Sequence, residues 1–212
     1  MTDFRKGVAK TTPKGVLKFP FLQKASTKFK ENGEYSCKIV MSPAEAAPLV
    51  KELDALWDEN LQLEAAKAAL NNKKVKSAGS KPWGPEIDPK NDEPTGYTVF
   101  KTKLPAKIQN KTTKQVYELR PKIFDAKGEP WTRTEWIGSG TVGKLNFKVM
   151  GYGVVKGETG LKLQLEAAQI INFVPAGKNR ADEFGFDVEE VPEDDAPDSD
   201  AGDSGNTDNV PF

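Results

Sequence analysis

Apolar and polar residues alternate over several short stretches of the chain, the period-two pattern of strands with one buried face. Tyr35, Cys37, Ile39 and Met41 share one side of such a stretch. Leu145, Phe147 and Val149 oppose Asn146, Lys148 and Met150, and Leu161-Lys162-Leu163-Gln164-Leu165-Glu166 alternates strictly. Looser strand patterns cover 15–22, 97–104, 115–124 and 170–174. Pro20, inside the first of these, implies an edge or a bulge, because proline cannot donate to a sheet ladder. After Met41 the period changes. Ser42-Pro43-Ala44-Glu45 has the form of a capping box with proline at the first helical position, opening a helix over about 43–70. Leu49, Leu53, Leu56, Leu63 and Leu70 form one stripe, with Trp57 and Leu61 beside it. Asn60 and Lys67 interrupt that stripe, which favours a helix packed on a sheet over a coiled coil. Pro48 supplies no N–H and suggests that the helix restarts near it.

Residues 71–96 are rich in Lys, Asn, Gly and Pro and read as a long loop holding Trp83, the kind of insertion that is often functional. Five or more strands, closely spaced turns and one helix predict a mainly β fold. A five-stranded Greek-key barrel of the OB type with one inserted helix fits, although periodicity does not separate a barrel from a sandwich.

Charge divides the chain. The formal net charge is zero, with 31 basic and 31 acidic residues. Residues 181–212 hold twelve of the acidic groups and no Lys or Arg, so residues 1–180 carry a net charge of +12. This predicts a folded basic domain over 1–180 and a disordered acidic tail over 181–212. The tail ends in Val210-Pro211-Phe212, an apolar tip after a long polar stretch. A flexible segment of that length spans roughly 30 Å, against a radius of gyration near ~16 Å for the body. The tail therefore reaches any basic groove on its own body and competes with a polyanion bound there.

Several chemistries are excluded by composition. There is no His, and Cys37 is the only cysteine, so a His-based triad, a His- or Cys-ligated zinc site and an intramolecular disulfide are ruled out. No cofactor is expected. No apolar run is long enough to span a bilayer and the N-terminus lacks the apolar region of a signal peptide, so no membrane association is expected. Lys and aromatic residues are interleaved in Lys18-Phe19-Pro20-Phe21, Phe100-Lys101-Thr102-Lys103, Trp131-Thr132-Arg133 and Lys148-Val149-Met150-Gly151-Tyr152. That combination suits single-stranded nucleic acid, where cations follow the phosphates and aromatic faces stack on unpaired bases. Lys outnumbers Arg by 27 to 4, which favours phosphate tracking over bidentate base reading. Lys101, Lys103, Lys148 and Arg133 are assigned to phosphates, and Trp83, Trp131 and Tyr152 to bases. Trp83, Tyr97, Trp131 and Tyr152 adjoin Gly, Pro or loop signals, where exposed stacking and core packing both fit. Phe19, Phe21, Phe100, Phe124 and Phe147 read as core, and so do Trp136 and Tyr117 within strand patterns. A metal-dependent nuclease built from Asp and Glu is the rival reading. A replication scaffold that works through its tail without binding DNA is another.

The chain resembles the single-stranded DNA-binding proteins of podoviruses, the short-tailed phages. The likeness lies in Gly33-Glu34-Tyr35 through Met41 running into a proline turn and long helix, Lys81-Pro82-Trp83, Phe100-Lys101-Thr102-Lys103, Lys144-Leu145, Lys162-Leu163-Gln164-Leu165-Glu166, and the acidic tail with its terminal Phe. The resemblance implies an OB-fold and sequence-independent binding of single-stranded DNA in replication and recombination in the host cytoplasm. It also implies stacking near the hairpin after Met150, a role that falls to Tyr152; the family's next aromatic is replaced here by Val154. Trp83 matches an aromatic in the family's loop. Homodimers are implied, with the tail of one subunit reaching the groove of the other. The Val210-Pro211-Phe212 end is similar to the Ile-Pro-Phe end of bacterial single-stranded DNA-binding proteins. It is expected to contact the phage DNA polymerase and helicase–primase.

Overall fold

A computed structural model describes residues 2–28, 30–110 and 112–177. The expected acidic tail lies outside the described residues. Among them are eleven strands and one helix: β1 (Val8–Thr11), β2 (Gly15–Ser26), β3 (Glu34–Met41), α1 (Pro43–Ala69), β4 (Lys76–Ser77), β5 (Trp83–Ile87), β6 (Pro94–Pro105), β7 (Lys107–Gln109), β8 (Val116–Glu118), β9 (Lys122–Phe124), β10 (Val142–Val155) and β11 (Glu158–Asn172).

Five long strands close on themselves. β2 pairs with β3, β3 with β6, β6 with β11, β11 with β10, and β10 returns to β2. All are antiparallel except β6–β11. This ring is the closure of the expected OB-type barrel, and it decides against the sandwich that the pattern left open. The closing contact is made by Val142 with Val16 and Gly143 with Gly15. A methyl group on Gly143 would sit 2.4 Å from the Gln169 carbonyl oxygen, and one on Gly15 2.6 Å from that of Val40. At the seam, each glycine thus leaves room for a carbonyl of its other neighbouring strand, β11 beside Gly143 and β3 beside Gly15.

The alternating positions fill the barrel. Leu17, Cys37, Ile39, Phe100, Leu145, Phe147, Val149, Leu163, Leu165 and Ile170 are buried. A Phe or Leu buried in this way stabilises the fold by about 1.5–3 kcal/mol.

The helix begins where the capping box places it. The Ser42 hydroxyl accepts from the Glu45 N–H, and the Ser42 N–H donates to the Glu45 carboxylate. No restart occurs at Pro48, which is exposed within one continuous helix. The buried face also differs from the leucine stripe. Ala46, Leu49, Leu53, Trp57 and Asn60 are buried, whereas Leu70 stands in solvent. Asn60 continues the stripe because its amide donates to the Thr159 hydroxyl and the Gly160 carbonyl, both at 3.3 Å. Those bonds tie α1 to the β10–β11 hairpin.

The expected loop over 71–96 contains two strands and runs into the start of a third. β5 pairs antiparallel with β6, placing Trp83 opposite Phe100. The Trp83 ring meets Trp57 edge-on at 5.6 Å, and its Nε1 donates to Asp54 at 3.0 Å. Two distant tryptophans and a carboxylate thus turn a Pro- and Gly-rich segment into core structure.

Candidate nucleic-acid interface

The outer face of β2, β3 and β6 carries two adjacent cross-strand rows. Lys18 stands opposite Lys38, and Lys38 opposite Lys101. In the next row Phe21 stands opposite Ser36, and Ser36 opposite Lys103. Neighbouring strands lie about 4.8 Å apart, so the first row roots three lysines side by side on the sheet. Like charges directly opposite one another destabilise a sheet by roughly 0.2–1 kcal/mol per pair. Lys18 is relieved by Glu86 at 2.5 Å. Lys38 and Lys101 make no ion pair with a carboxylate among the described residues.

The aromatic part of this face comes from a bulge. The β2–β3 register shifts between Lys18 and Phe21, which lifts Phe19 and Pro20 out of the ladder. Phe19 takes a φ of 49°, an unusual value for a bulky residue. Its N–H donates to the Ser139 hydroxyl at 3.0 Å, and Lys38 lies 5.3 Å from its ring centroid. The result is an exposed pair, Phe19 at 61% and Phe21 at 46% accessibility. They line a groove of about 490 Å³ together with Lys30, Lys38, Lys101 and Lys103.

Glu34 tempers the charge at one end. Burial alone would raise its carboxyl, but hydrogen bonds and the charges of Lys30 and Lys103 outweigh that and hold it below the ordinary carboxylate range. Lys103 reaches it at 3.2 Å, and Lys30 also pairs with it. Cys37 lies under the groove with its thiol pushed up by burial, so it remains a protonated core residue.

The structure brings Lys101 and Lys103 together on this face. Lys148 is two strands further around the ring, reached through Gln164, and pairs with Glu166 at 2.5 Å. Tyr152 is half-buried on the β10–β11 hairpin, opposite Gly160. It lines a different cavity, of about 410 Å³, with Phe4, Arg5, Asn60 and Lys67. Burial and the charge of Glu158 raise its phenol. Trp83 is not a stacking platform: it is 5% accessible and locked by Trp57 and Asp54. Trp131 is also not free to stack. It is half-buried against Phe173 at 5.2 Å, and the Arg133 guanidinium caps both rings. Val210, Pro211 and Phe212 lie outside the described residues.

Four aromatics assigned to the core prove exposed: Phe19, Phe21, Trp136 and Tyr117. A signal for the first two was present in Pro20. A bulge there turns both rings outward against the usual tendency of Phe to be buried.

Among the described residues, no group of three or more Asp, Glu, Cys or His side chains is placed to hold a metal ion. No helix among them is long and apolar enough to cross a membrane.

Residues 8–173 match the family model described as single-stranded DNA-binding protein, bacteriophage T7. The single-stranded DNA-binding protein of Enterobacteria phage T3 is 32% identical over 116 residues, 53% of this chain and 50% of the relative. The chain thus matches about half the length of that curated relative. Among solved structures, gp2.5, a single-stranded DNA-binding protein encoded by bacteriophage T7, superposes with a TM-score of 0.67 at 20% identity, covering 90% of this chain and 100% of that one. The single-stranded DNA-binding protein from bacteriophage Enc34 in complex with ssDNA gives 0.54 at 16% identity, covering 80% and 89%. At such identities the structures speak for the fold. With the family model spanning most of the sequence, the chain belongs to the bacteriophage T7 single-stranded DNA-binding protein family.

Proposed function

We propose that this chain binds single-stranded DNA without sequence preference, on the outer face of β2, β3 and β6. The observation that carries this reading is the Lys18–Lys38–Lys101 row set beside the exposed Phe19 and Phe21. A row of like charges weakens the sheet, and a polyanionic ligand offsets that repulsion. Lys38, Lys101 and Lys103 follow phosphates as point charges, which carry no base information. Phe19 and Phe21 offer faces to unpaired bases, each stack contributing roughly 1–3 kcal/mol. Duplex DNA hides its base faces, so this surface selects single strands. Lys148 and Tyr152 are further contacts on the barrel. No chemical step on DNA belongs to this reading, and the family is one of binding proteins.

Residues 1–180 are the binding domain in this proposal, and residues 181–212 an acidic tail that competes with DNA for the basic face. Charge supports it: +12 on the first segment against twelve acidic groups on the second. Through Val210, Pro211 and Phe212 the tail contacts the phage DNA polymerase and helicase–primase during replication and recombination in the host cytoplasm. Two chains form a homodimer in which one tail reaches the partner's groove.

The test is a titration of labelled oligo-dT and a duplex of equal length at two salt concentrations. The single strand is expected to bind far more tightly, and deletion of 181–212 to tighten binding further and steepen its salt dependence. Equal affinity for the two forms, with and without the tail, would overturn the proposal. Cleavage of either substrate with magnesium or manganese would favour the nuclease instead.

A further inference from the structure

Trp136 is 52% accessible, yet the backbone around it is tied by three hydrogen bonds. The Gln23 side chain bridges its two neighbours: Nε2 donates to the Glu135 carbonyl at 3.0 Å, and Oε1 accepts from the Ile137 N–H at 2.8 Å. The Trp136 carbonyl itself accepts from the Ala176 N–H at 2.7 Å. Next to it, Ile137 is buried and anchors the segment in the core. An exposed indole contributes little to folding, and a rigid frame around one lowers the entropy lost when a ligand stacks on it.

The indole lines a groove of about 530 Å³ whose walls include Pro20, Phe21, Ala25 and Ile137, with Lys24 at the rim. This groove adjoins the Lys-and-Phe groove, with Phe21, Ser26 and Lys28 lining both. The 136–141 segment runs along the side of β2 away from β3: Ser139 receives the Phe19 N–H, and the Gly140 N–H donates to Leu17. A strand leaving Phe19 and Phe21 across β2 therefore arrives at Trp136.

We infer that this second groove is a base-stacking subsite for the same unpaired strand, with Trp136 as its platform and Phe21 shared between the two. The inference rests on the single-strand reading above and extends the track beyond the lysine rows. Its occupant is a nucleobase, not a peptide, because the groove continues the surface where phosphates and bases are already placed and is rimmed by lysine.

Tryptophan fluorescence of the full-length chain tests it directly. Trp57 and Trp83 are buried and Trp131 is packed on Phe173, so quenching by oligo-dT should come mainly from Trp136. Trp136→Phe should lose most of the quenching while binding is retained. Trp136→Ala should weaken oligo-dT binding about 10-fold, with the phenylalanine variant recovering most of that loss. Unchanged affinity and unchanged quenching in the alanine variant would overturn the subsite and leave the lysine–phenylalanine site standing. Failure of the unaltered chain to bind oligo-dT would instead sink the underlying reading. A synthetic peptide of residues 201–212 is the control. If it alters Trp136 emission and oligo-dT does not, the groove holds the chain's own end and the inference falls.

Discussion

Replacing Lys38 and Lys101 together by alanine isolates the electrostatic part of DNA binding. The two face each other across β3 and β6, and neither is tied up by a carboxylate among the described residues. Each ammonium that meets a phosphate on a single strand releases counterions, giving a slope of about −0.7 in log affinity against log salt. Removing both should make that slope shallower by about 1.4. Between about 50 mM and about 200 mM salt, the fall in affinity should shrink by about 7-fold relative to the unaltered chain. The variant should therefore be weakest, relative to the original, at low salt. Fluorescence anisotropy of labelled oligo-dT at four salt concentrations reads the slope. Fold is checked by thermal melting, where relief of the facing charges should leave stability unchanged or raise it by roughly 0.2–1 kcal/mol. Parallel lines for the two proteins would refute the argument, since lysines that neutralise no phosphate release no counterions.

Three further outcomes follow from the same geometry. Trp83→Phe loses the Asp54 hydrogen bond, and melting should show a loss of about 1–2 kcal/mol while oligo-dT affinity stays the same. Glu34 titrates lower folded than unfolded, so its stabilisation is complete above the ordinary value near 4.5 and drains away as pH falls through the lower folded value. Melts of Glu34→Gln across acidic pH should lack that component, and releasing Lys30 and Lys103 should steepen the salt slope for oligo-dT by about 0.7 per lysine. Gly143→Ala drives a methyl into the Gln169 carbonyl at the barrel seam, and denaturant unfolding should show a loss of at least about 2 kcal/mol.

Much of the fold was legible because strand alternation and helix capping are local. Tyr35, Cys37, Ile39 and Met41 all face inward as their spacing predicts, and Ser42 with Glu45 starts the helix where expected. The site was legible only in part. Lys101 and Lys103 stand together in one groove, but Trp83, in a segment that reads as a loop, is core, and Phe19, in a segment that reads as a strand, is surface. Both reversals come from pairing with distant strands. β5 finds β6 and carries Trp83 onto Trp57, while β2 slips against β3 and lifts Phe19 out.

The amino-acid order by itself determined the mainly β character, the inserted helix, the inward faces of the strong strands and the separation of charge between body and end. These depend on neighbours within a few positions or on composition. Closure of the ring, the alignment of Lys18, Lys38 and Lys101, and the choice of which rings meet solvent were decided only by the tertiary structure. Each depends on the register between strands far apart in the chain, and a shift of one residue there exchanges the inner and outer faces.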